Sequence, residues 1–293
     1  MTNCRNSYDL VLDLVPALES DVVEHAGIIR IISDFVDHLN FETLGPNSKG
    51  YFELTDAGKI HFPYYSFGSV KSYFHLEYRE LVLFAIYRKI LRRYSRFVDV
   101  GGNLGLHSII ASKFANCEVH YIEPDPVHYI EASERFSLND LEQDIFQHNV
   151  AASNFDGKAN FVRVVDNTTG SHIEGNKINV YGPTETLKVQ VSRFSNFISD
   201  TGRTFAKVDI EGAEVDALID LSNDTWERFD CVVEITDTNS AKLIFAMAES
   251  RNLKVYSQKT SWSIARKYED LPQRWDEGSV LISRTLNRDD FLS

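Results

Sequence analysis

The sequence predicts an α/β protein, a parallel sheet wrapped by helices on both faces, with a small α+β appendage at its N-terminus. Three observations carry this reading. From Arg96 onward, short β-rich runs alternate with helical segments, the pattern of a parallel sheet built with crossover helices. With 293 residues and 43% hydrophobic content, the chain can bury the core such a sheet needs. The first of the β-rich runs breaks into Gly101, Gly102 and Gly105 before turning helical, and the first strand-to-helix turn is where open α/β sheets place their ligands.

Taken in order, the apolar residues between Asp21 and Leu39 recur in pairs three to four apart and predict an amphipathic helix. Breakers at Gly45, Pro46, Gly50, Gly58 and Pro63 then punctuate short aromatic runs, which predicts a hairpin followed by a loop. Residues 1–70 form the appendage and residues 71–293 the main domain. Tyr73 to Tyr94 reads as a helix whose basic end suits a helix C-terminus. The strands are "RFVDV", "EVHYIE", "DIFQHNVAA", "FAKVDI" and "DCVVEI"; helices are expected over Leu106–Phe114, Pro126–Leu138, Glu214–Leu221 and Ser240–Ser250. An insertion at about 154–196 holds two further strands, "KANFVRVV" and "TLKVQVSRF", around the polar loop "DNTTGSHIEGNK".

Charge and composition narrow the partners. A net charge of −13 and a pI near 5.1 disfavour nucleic acid, whose phosphates call for a basic footprint. Cys4, Cys117 and Cys231 are too few and too scattered for a disulfide framework or a zinc knuckle, so a reducing cytoplasm is the expected location. The start of the chain carries acids inside its apolar run, unlike a signal peptide, and no later run approaches the roughly 18 to 20 apolar residues of a membrane span. A soluble protein with no membrane partner is expected; the N-terminal helix leaves a homodimer open.

The glycine turn has chemistry of its own. A dinucleotide fingerprint needs G-x-G-x-x-G, but counting from Gly101 this chain has Asn103 and Leu106 at the second and third glycine positions. The actual pattern is D-x-G-G-N-x-G headed by Asp99, a carboxylate unfavourable to a pyrophosphate but suited to a positively charged ligand. S-adenosylmethionine, a sulfonium with an α-amino group, fits that field. Glu123 closes the next strand, where a carboxylate can accept both ribose hydroxyls. Because NAD sites use an acid similarly, Glu123 alone does not discriminate. Asp125, ahead of Pro126, is the better candidate to cap the following helix.

Further along, Asp209 and Glu211 lie two apart at the end of a strand and would share one side of an extended chain; Glu234 ends the next strand similarly. These three carboxylates are the catalytic candidates. Asp209 would orient a sulfonium or an acceptor, with divalent-ion binding and a purely structural role as the competing readings; no metal is assigned. Gly212 and Glu214 fit the structural share, an acid near a helix start. His172, in the polar insertion loop, is the candidate base, against a solvated loop histidine. His107 reads as a packed core histidine, and His148 as a possible neighbour of adenine. The aromatic stretch "HFPYYSFGSVKSYFHLEY" is expected to clasp the appendage to the core, with an acceptor wall as the alternative.

The ordered set "FVDVGGNLGLHSIIAS", "YIEPDP", "LND", "NVAAS", "FAKVDIEGAEVDAL" and "CVVEI" resembles the FkbM family of S-adenosylmethionine-dependent methyltransferases over roughly Phe97 to Ile235. The resemblance implies a class I methyltransferase fold, with a Rossmann-like seven-stranded sheet whose last strand is antiparallel, and an O-methyl product. Carried over by position, Asp99, Gly101, Gly102, Asn103 and Gly105 would line the methionine part, Glu123 and Pro124 would hold the ribose, and Asn149 or Val150 would lie near adenine. The chain departs from the family in having Gly101-Gly102-Asn103 where Gly-Ala-Asn is common. The expected activity is O-methylation of a small biosynthetic intermediate, a sugar, secondary metabolite or peptide, with S-adenosylhomocysteine as product. An NAD-dependent oxidoreductase and a non-catalytic S-adenosylmethionine-binding protein are the alternatives.

Overall fold

Asn6 accepts a hydrogen bond from the Asp9 N–H and starts helix α1 (Ser7–Leu18), which buries Tyr8, Val11, Leu12, Val15 and Leu18 at helical spacing. The structure, a computed structural model, describes residues 6–68, 70–165, 169–176 and 182–292. Helix α1 is absent from the sequence expectation because Asp9, Asp13 and Pro16 interrupt its apolar pattern. Helix α2 (Val22–Leu44), capped by Asp21, extends five residues beyond the predicted Leu39. Two short hairpins follow, β1 (Tyr51–Leu54) with β2 (Gly58–His61), and β3 (Ser66–Phe67) with β4 (Val70–Lys71). The predicted helix from Tyr73 is a 3-10 turn over Ser72–Leu76, a break at Glu77 and helix α3 (Tyr78–Ile90).

The main sheet then builds outward from β5 (Arg96–Val100). Helix α4 (Leu106–Phe114) leads to β6 (Glu118–Ile122), and α5 (Pro126–Leu138) leads to β7 (Ile145–His148). The predicted run "DIFQHNVAA" is two strands, because the chain leaves the main sheet after His148. Its second half, β8 (Ala151–Ser153), joins β9 (Gly157–Val164), β10 (His172–Ile173) and β11 (Thr184–Arg193) in a separate sheet of order β10-β9-β11-β8. The chain returns through β12 (Thr204–Val208), α6 (Glu214–Ile219), β13 (Phe229–Glu234) and α7 (Thr238–Ser250). Strands β14 (Lys254–Ser257), β15 (Ser263–Ile264) and β16 (Ser279–Ser283) and helix α8 (Arg288–Leu292) complete it.

The main sheet has the order β15-β14-β16-β13-β12-β5-β6-β7. Strands β13 to β7 are parallel, and β16 is inserted antiparallel between β13 and β14. Seven of these strands reproduce the implied sheet; the two-residue β15 adds an eighth at one edge. The strand order reverses between β5 and β12, which opens a crevice at their carboxyl ends.

Alternate residues along each central strand feed two cores. Phe97 and Phe205 face one side with residues of α1, α3 and α4, while Val98, Val100, Ala206 and Val208 pack with α6 and α7 on the other. The first of these cores runs without interruption into the N-terminal residues. Glu19, buried at the end of α1, accepts from Trp262 Nε1 at 2.9 Å, Gln258 Nε2 at 3.0 Å and Tyr78 Oη at 3.1 Å. Asn139 grips the first hairpin through both backbone groups of His61. Phe62, Leu76 and Tyr78 of the aromatic stretch are buried in this core, so that stretch does act as a clasp. Among the described residues no helix is long and apolar enough to cross a membrane.

Candidate active site

Gly101 (φ +73°) follows β5 at the point where the strand order reverses. A Cβ here would collide with the backbone carbonyl of Asp209, which follows β12. Gly105 (φ +81°) heads α4, and its missing Cβ leaves room for the Phe136 ring. These glycines are therefore required by close packing of the protein against itself. Gly102 has a similar reason: an added methyl would run into the Tyr121 ring, whose hydroxyl donates to the Asn103 carbonyl at 2.6 Å. The departure from Gly-Ala-Asn is thus matched to Tyr121.

The turn opens onto a cleft of about 1070 Å³. Glu123, only 5% exposed, lines it, accepting from Asn103 N at 2.9 Å through Oε2 and from Asp125 N at 2.8 Å through Oε1. Each carboxylate oxygen keeps a lone pair for a further donor. Burial pushes its pKa up to about 8 despite those two bonds. Asp125 caps α5 as expected, through Val127 N. Asp99 is fully buried behind the turn; its Oδ2 accepts from Ser108 N and Oγ in the first turn of α4, and its Oδ1 has no partner among the described residues. Asp99 is not part of the cleft lining, so its part is to hold the turn onto α4.

S-adenosylmethionine fits these residues. Asn103 Oδ1 is a buried acceptor on the cleft wall with no partner among the described residues, Glu123 has spare acceptor capacity beside it, and Pro124, Ile122, Ala151 and Phe161 supply an apolar wall. Phe161 and Ala151 come from the second sheet, and of the two only Phe161 lies outside the motifs quoted for the family. Asn149 and Val150 fall outside the lining: Asn149 is exposed and donates to the Glu123 and Pro124 carbonyls, while Val150 packs into the second core. The sequence expectation puts these two beside adenine; they sit at the turn from β7 to β8, adjacent to Glu123 and Pro124 and outside the cleft lining. His148 is corrected, as it stacks on His120 with a 3.0 Å Nε2 to Nδ1 contact, away from the cleft.

Across the switch point lies the acidic group. Asp209 Oδ2 accepts from Lys207 Nζ at 3.0 Å, and Glu234 hydrogen-bonds Asp209. Burial would raise Asp209, but Lys207 and Glu234 outweigh it and hold the carboxyl below its usual range. Burial, then the Asp209 charge, drives Glu234 well above that range, so Glu234 keeps the proton the pair shares. Lys207 is buried yet stays a cation: Asp209, Asp99 and Glu80 more than offset its desolvation. Asp209 and Glu211 do not share an extended strand, because β12 ends at Val208 and Glu211 takes a positive φ of 54°. Both line the cleft nonetheless. Glu214 folds back to accept from Ile210 N and Gly212 N, the structural role expected of it.

Two cleft residues, Glu80 and His75, lie outside every motif quoted for the family. Glu80 of α3 places Oε2 2.8 Å from His107 Nε2, while His107 Nδ1 meets Tyr87 Oη at 3.0 Å. Burial favours the neutral form of Glu80, but His107 and Lys207 outweigh it and keep the carboxyl below its usual range. Burial drives His75 down to about 4, so it stands neutral in the same wall. The strand period is the signal for Lys207, which lies on one face with Phe205 and pairs in register with Asp99. His172 is corrected as a base: it is buried on β10 with Nδ1 on the Gly170 carbonyl, while its neighbours Ser171 and Ile173 line the cleft. Residues 166–168 and 177 of the expected polar loop lie outside the described residues. Among the described residues no group of three or more His, Cys, Asp or Glu side chains is placed to hold a metal ion.

The family model of the methyltransferase FkbM domain matches residues 99–254. Among solved structures, the methyltransferase FkbM from Methylobacillus flagellatus KT aligns at 14% identity and a TM-score of 0.39, over 64% of this chain and 43% of that one. Ribosomal protein L11 methylase from Lactobacillus delbrueckii subsp. bulgaricus aligns at 14% and 0.39, over 71% and 78%. Precorrin-6y C5,15-methyltransferase from Geobacter metallireducens GS-15 aligns at 14% and 0.35, over 60% and 72%. The chain therefore spans less than half of the first of these proteins. No curated protein matches it. The matched segment begins at Asp99, runs through the glycine turn and Glu123, and contains Lys207, Asp209, Glu214 and Glu234, so the chain belongs to the FkbM methyltransferase family.

Proposed function

We propose that this protein transfers a methyl group from S-adenosylmethionine to an oxygen of a small hydroxylated acceptor, a sugar, secondary metabolite or peptide. One observation carries the proposal: a single cleft joins the turn at Gly101 to Asn103 and the Glu123 carboxylate on one side to Asp209, Glu234 and Glu80 on the other. When bound, S-adenosylmethionine supplies an electrophilic methyl on a positively charged sulfur. Asn103 and Glu123 are the residues to hold it, through the amino-acid part and the ribose. Asp209 and Glu80, both kept ionised, would orient an acceptor hydroxyl by accepting its hydrogen bond, and Asp209 would take its one proton as the methyl transfers. Phe74 and Trp275, the latter 65% exposed, supply apolar surface in the same cleft.

The test is thermal unfolding with S-adenosylhomocysteine beside an NADH control. Ligand at about one hundred times a micromolar Kd adds roughly 2.7 kcal/mol to folded-state stability. A rise with S-adenosylhomocysteine alone is expected, and a rise with NADH alone would overturn the assignment in favour of an oxidoreductase. Asp209→Asn is then expected to abolish methylation of a hydroxylated acceptor panel while retaining the thermal shift; unchanged turnover would remove Asp209 from the reaction.

A further inference from the structure

Helix α2 is 23 residues long, yet only Val36, Asn40 and Leu44, in its C-terminal half, are buried. Its N-terminal half presents an i, i+4 ridge of Val23, Gly27, Ile31 and Phe35, flanked by Ile28. Val23 is 85% exposed and Ile31 67%. Leaving such a ridge in water over three helical turns is unfavourable, and it is contiguous rather than scattered.

Gly27 points to what covers it. A glycine in a helix interior weakens the helix relative to alanine, and here nothing within the fold requires one: a Cβ at Gly27 would meet no atom within 4 Å. The space it leaves is on the outer surface, in the middle of the ridge. An object seated there gains a close approach to the backbone.

We propose that α2 is a self-association face through which two copies of this chain pair about a two-fold axis, their helices crossing antiparallel at Ile31. This inference is independent of the methyl-transfer reading. In that arrangement Ile31 meets Ile31, and Phe35 of each copy sits over Gly27 of the other. The charges agree with this register. Arg30, the single Lys or Arg of the helix, falls within a turn of Asp34 on the second copy, and Glu24 falls opposite His38. An isologous contact requires such self-complementarity. An anionic lipid surface is disfavoured, since Glu24, Asp34, Asp37 and Glu42 outnumber Arg30 on this helix.

Light scattering on a sizing column and sedimentation equilibrium of the full chain, from low to high micromolar concentration, test this. The expected species is a dimer at twice 33.4 kDa. Ile31→Asp is expected to give a monomer with unchanged far-ultraviolet circular dichroism. Gly27→Ala separates the two roles of that position: it is expected to raise the melting temperature of the monomer while weakening the dimer about tenfold or more. Arg30→Glu is expected to weaken the dimer, and adding Asp34→Lys to restore it. A wild-type monomer at every concentration overturns the proposal. So does a dimer that persists in Ile31→Asp and Arg30→Glu, which would put the contact elsewhere. Wild-type monomer that binds phosphatidylcholine or phosphatidylglycerol vesicles, and loses them with Ile31→Asp, would reassign the ridge to lipid.

Discussion

Lys207 Nζ stands 3.0 Å from Asp209 Oδ2 and 3.4 Å from the Gly101 carbonyl, so one buried cation ties the carboxylate pair to the glycine turn. Lys207→Met leaves Asp209, whose side chain on the cleft wall is 31% exposed, without its cation. Removing one partner of a fully buried pair costs about 3–5 kcal/mol, and solvent at the cleft wall lowers that figure here. Urea unfolding is expected to show a loss smaller than that, and Lys207→Met combined with Asp209→Asn is expected to recover part of it. An additive double variant would mean the two side chains do not interact.

Buried acids and buried histidines pull the pH dependence of stability in opposite directions, the histidines only below about pH 6.5 and the acids above it as well. Glu123 is raised to about 8 and Glu214 to about 7, both chiefly by burial, and Glu234 is raised well above the usual carboxylate range. A carboxyl raised on folding contributes stability that is complete below its ordinary pKa of 4.5 and is lost as the pH rises through the folded value. Above about pH 6.5 the buried histidines, His75 and His120 among them, are neutral folded or unfolded, so the acids alone act there and the ligand-free protein is expected to melt at a higher temperature near pH 7 than near pH 8.5. Glu123→Gln should flatten the upper part of that profile. A melting temperature that rises across this window would contradict the burial of these acids.

Glu19 clasps three donors from distant parts of the chain, on Tyr78, Gln258 and Trp262. Glu19→Ala strands all of them, and each buried unsatisfied group costs about 1–3 kcal/mol. A loss of at least about 3 kcal/mol is expected in chemical denaturation, with Glu19→Gln milder because it keeps one acceptor. A loss below about 1 kcal/mol for the alanine variant would show that water replaces the clasp.

Gly102→Ala restores the residue common in the family but drives a methyl into the Tyr121 ring. Overpacking of this kind costs about 1–3 kcal/mol. The same change in a Tyr121→Val background is expected to be close to neutral. Equal penalties in both backgrounds would exclude Tyr121 as the cause.

Where local chemistry dictates the outcome, the sequence is readable to the residue. Gly105 starts α4 at Leu106, and Asp125 with Pro126 starts α5, both at the expected positions. The central strands follow from their β-rich runs, and Asp209, Glu123 and Glu234 from their places just past or at strand ends. The split between β7 and β8 is hidden, since "IFQHNVAA" is continuously β-prone and the turn is set by Asn149 bonding to the Glu123 and Pro124 carbonyls. Glu80, His75 and Phe161 are hidden for another reason: only tertiary packing of α3, the turn before it and the second sheet brings them into the cleft. His172 shows the converse, a polar residue in a polar loop that one step of strand alternation removes from the cleft.

The cleft is assembled from residues inside and outside the segment the family model matches. The family match spans residues 99–254, which hold the glycine turn, Glu123 and the Lys207–Asp209–Glu234 group. His75, Arg79 and Glu80 precede that span, and Trp275 and Ser279 follow it, yet they line the same cleft. Arg79 joins these outer pieces, stacking on Trp275 with its guanidinium 5.0 Å from the ring and donating to its carbonyl. For protein engineering this puts the outer wall within reach of substitutions that leave the family-matched segment unchanged: Arg79 and Trp275 line the cleft from outside it, whereas their neighbours Leu76, Tyr78, Leu81 and Val82 belong to the core and must be kept.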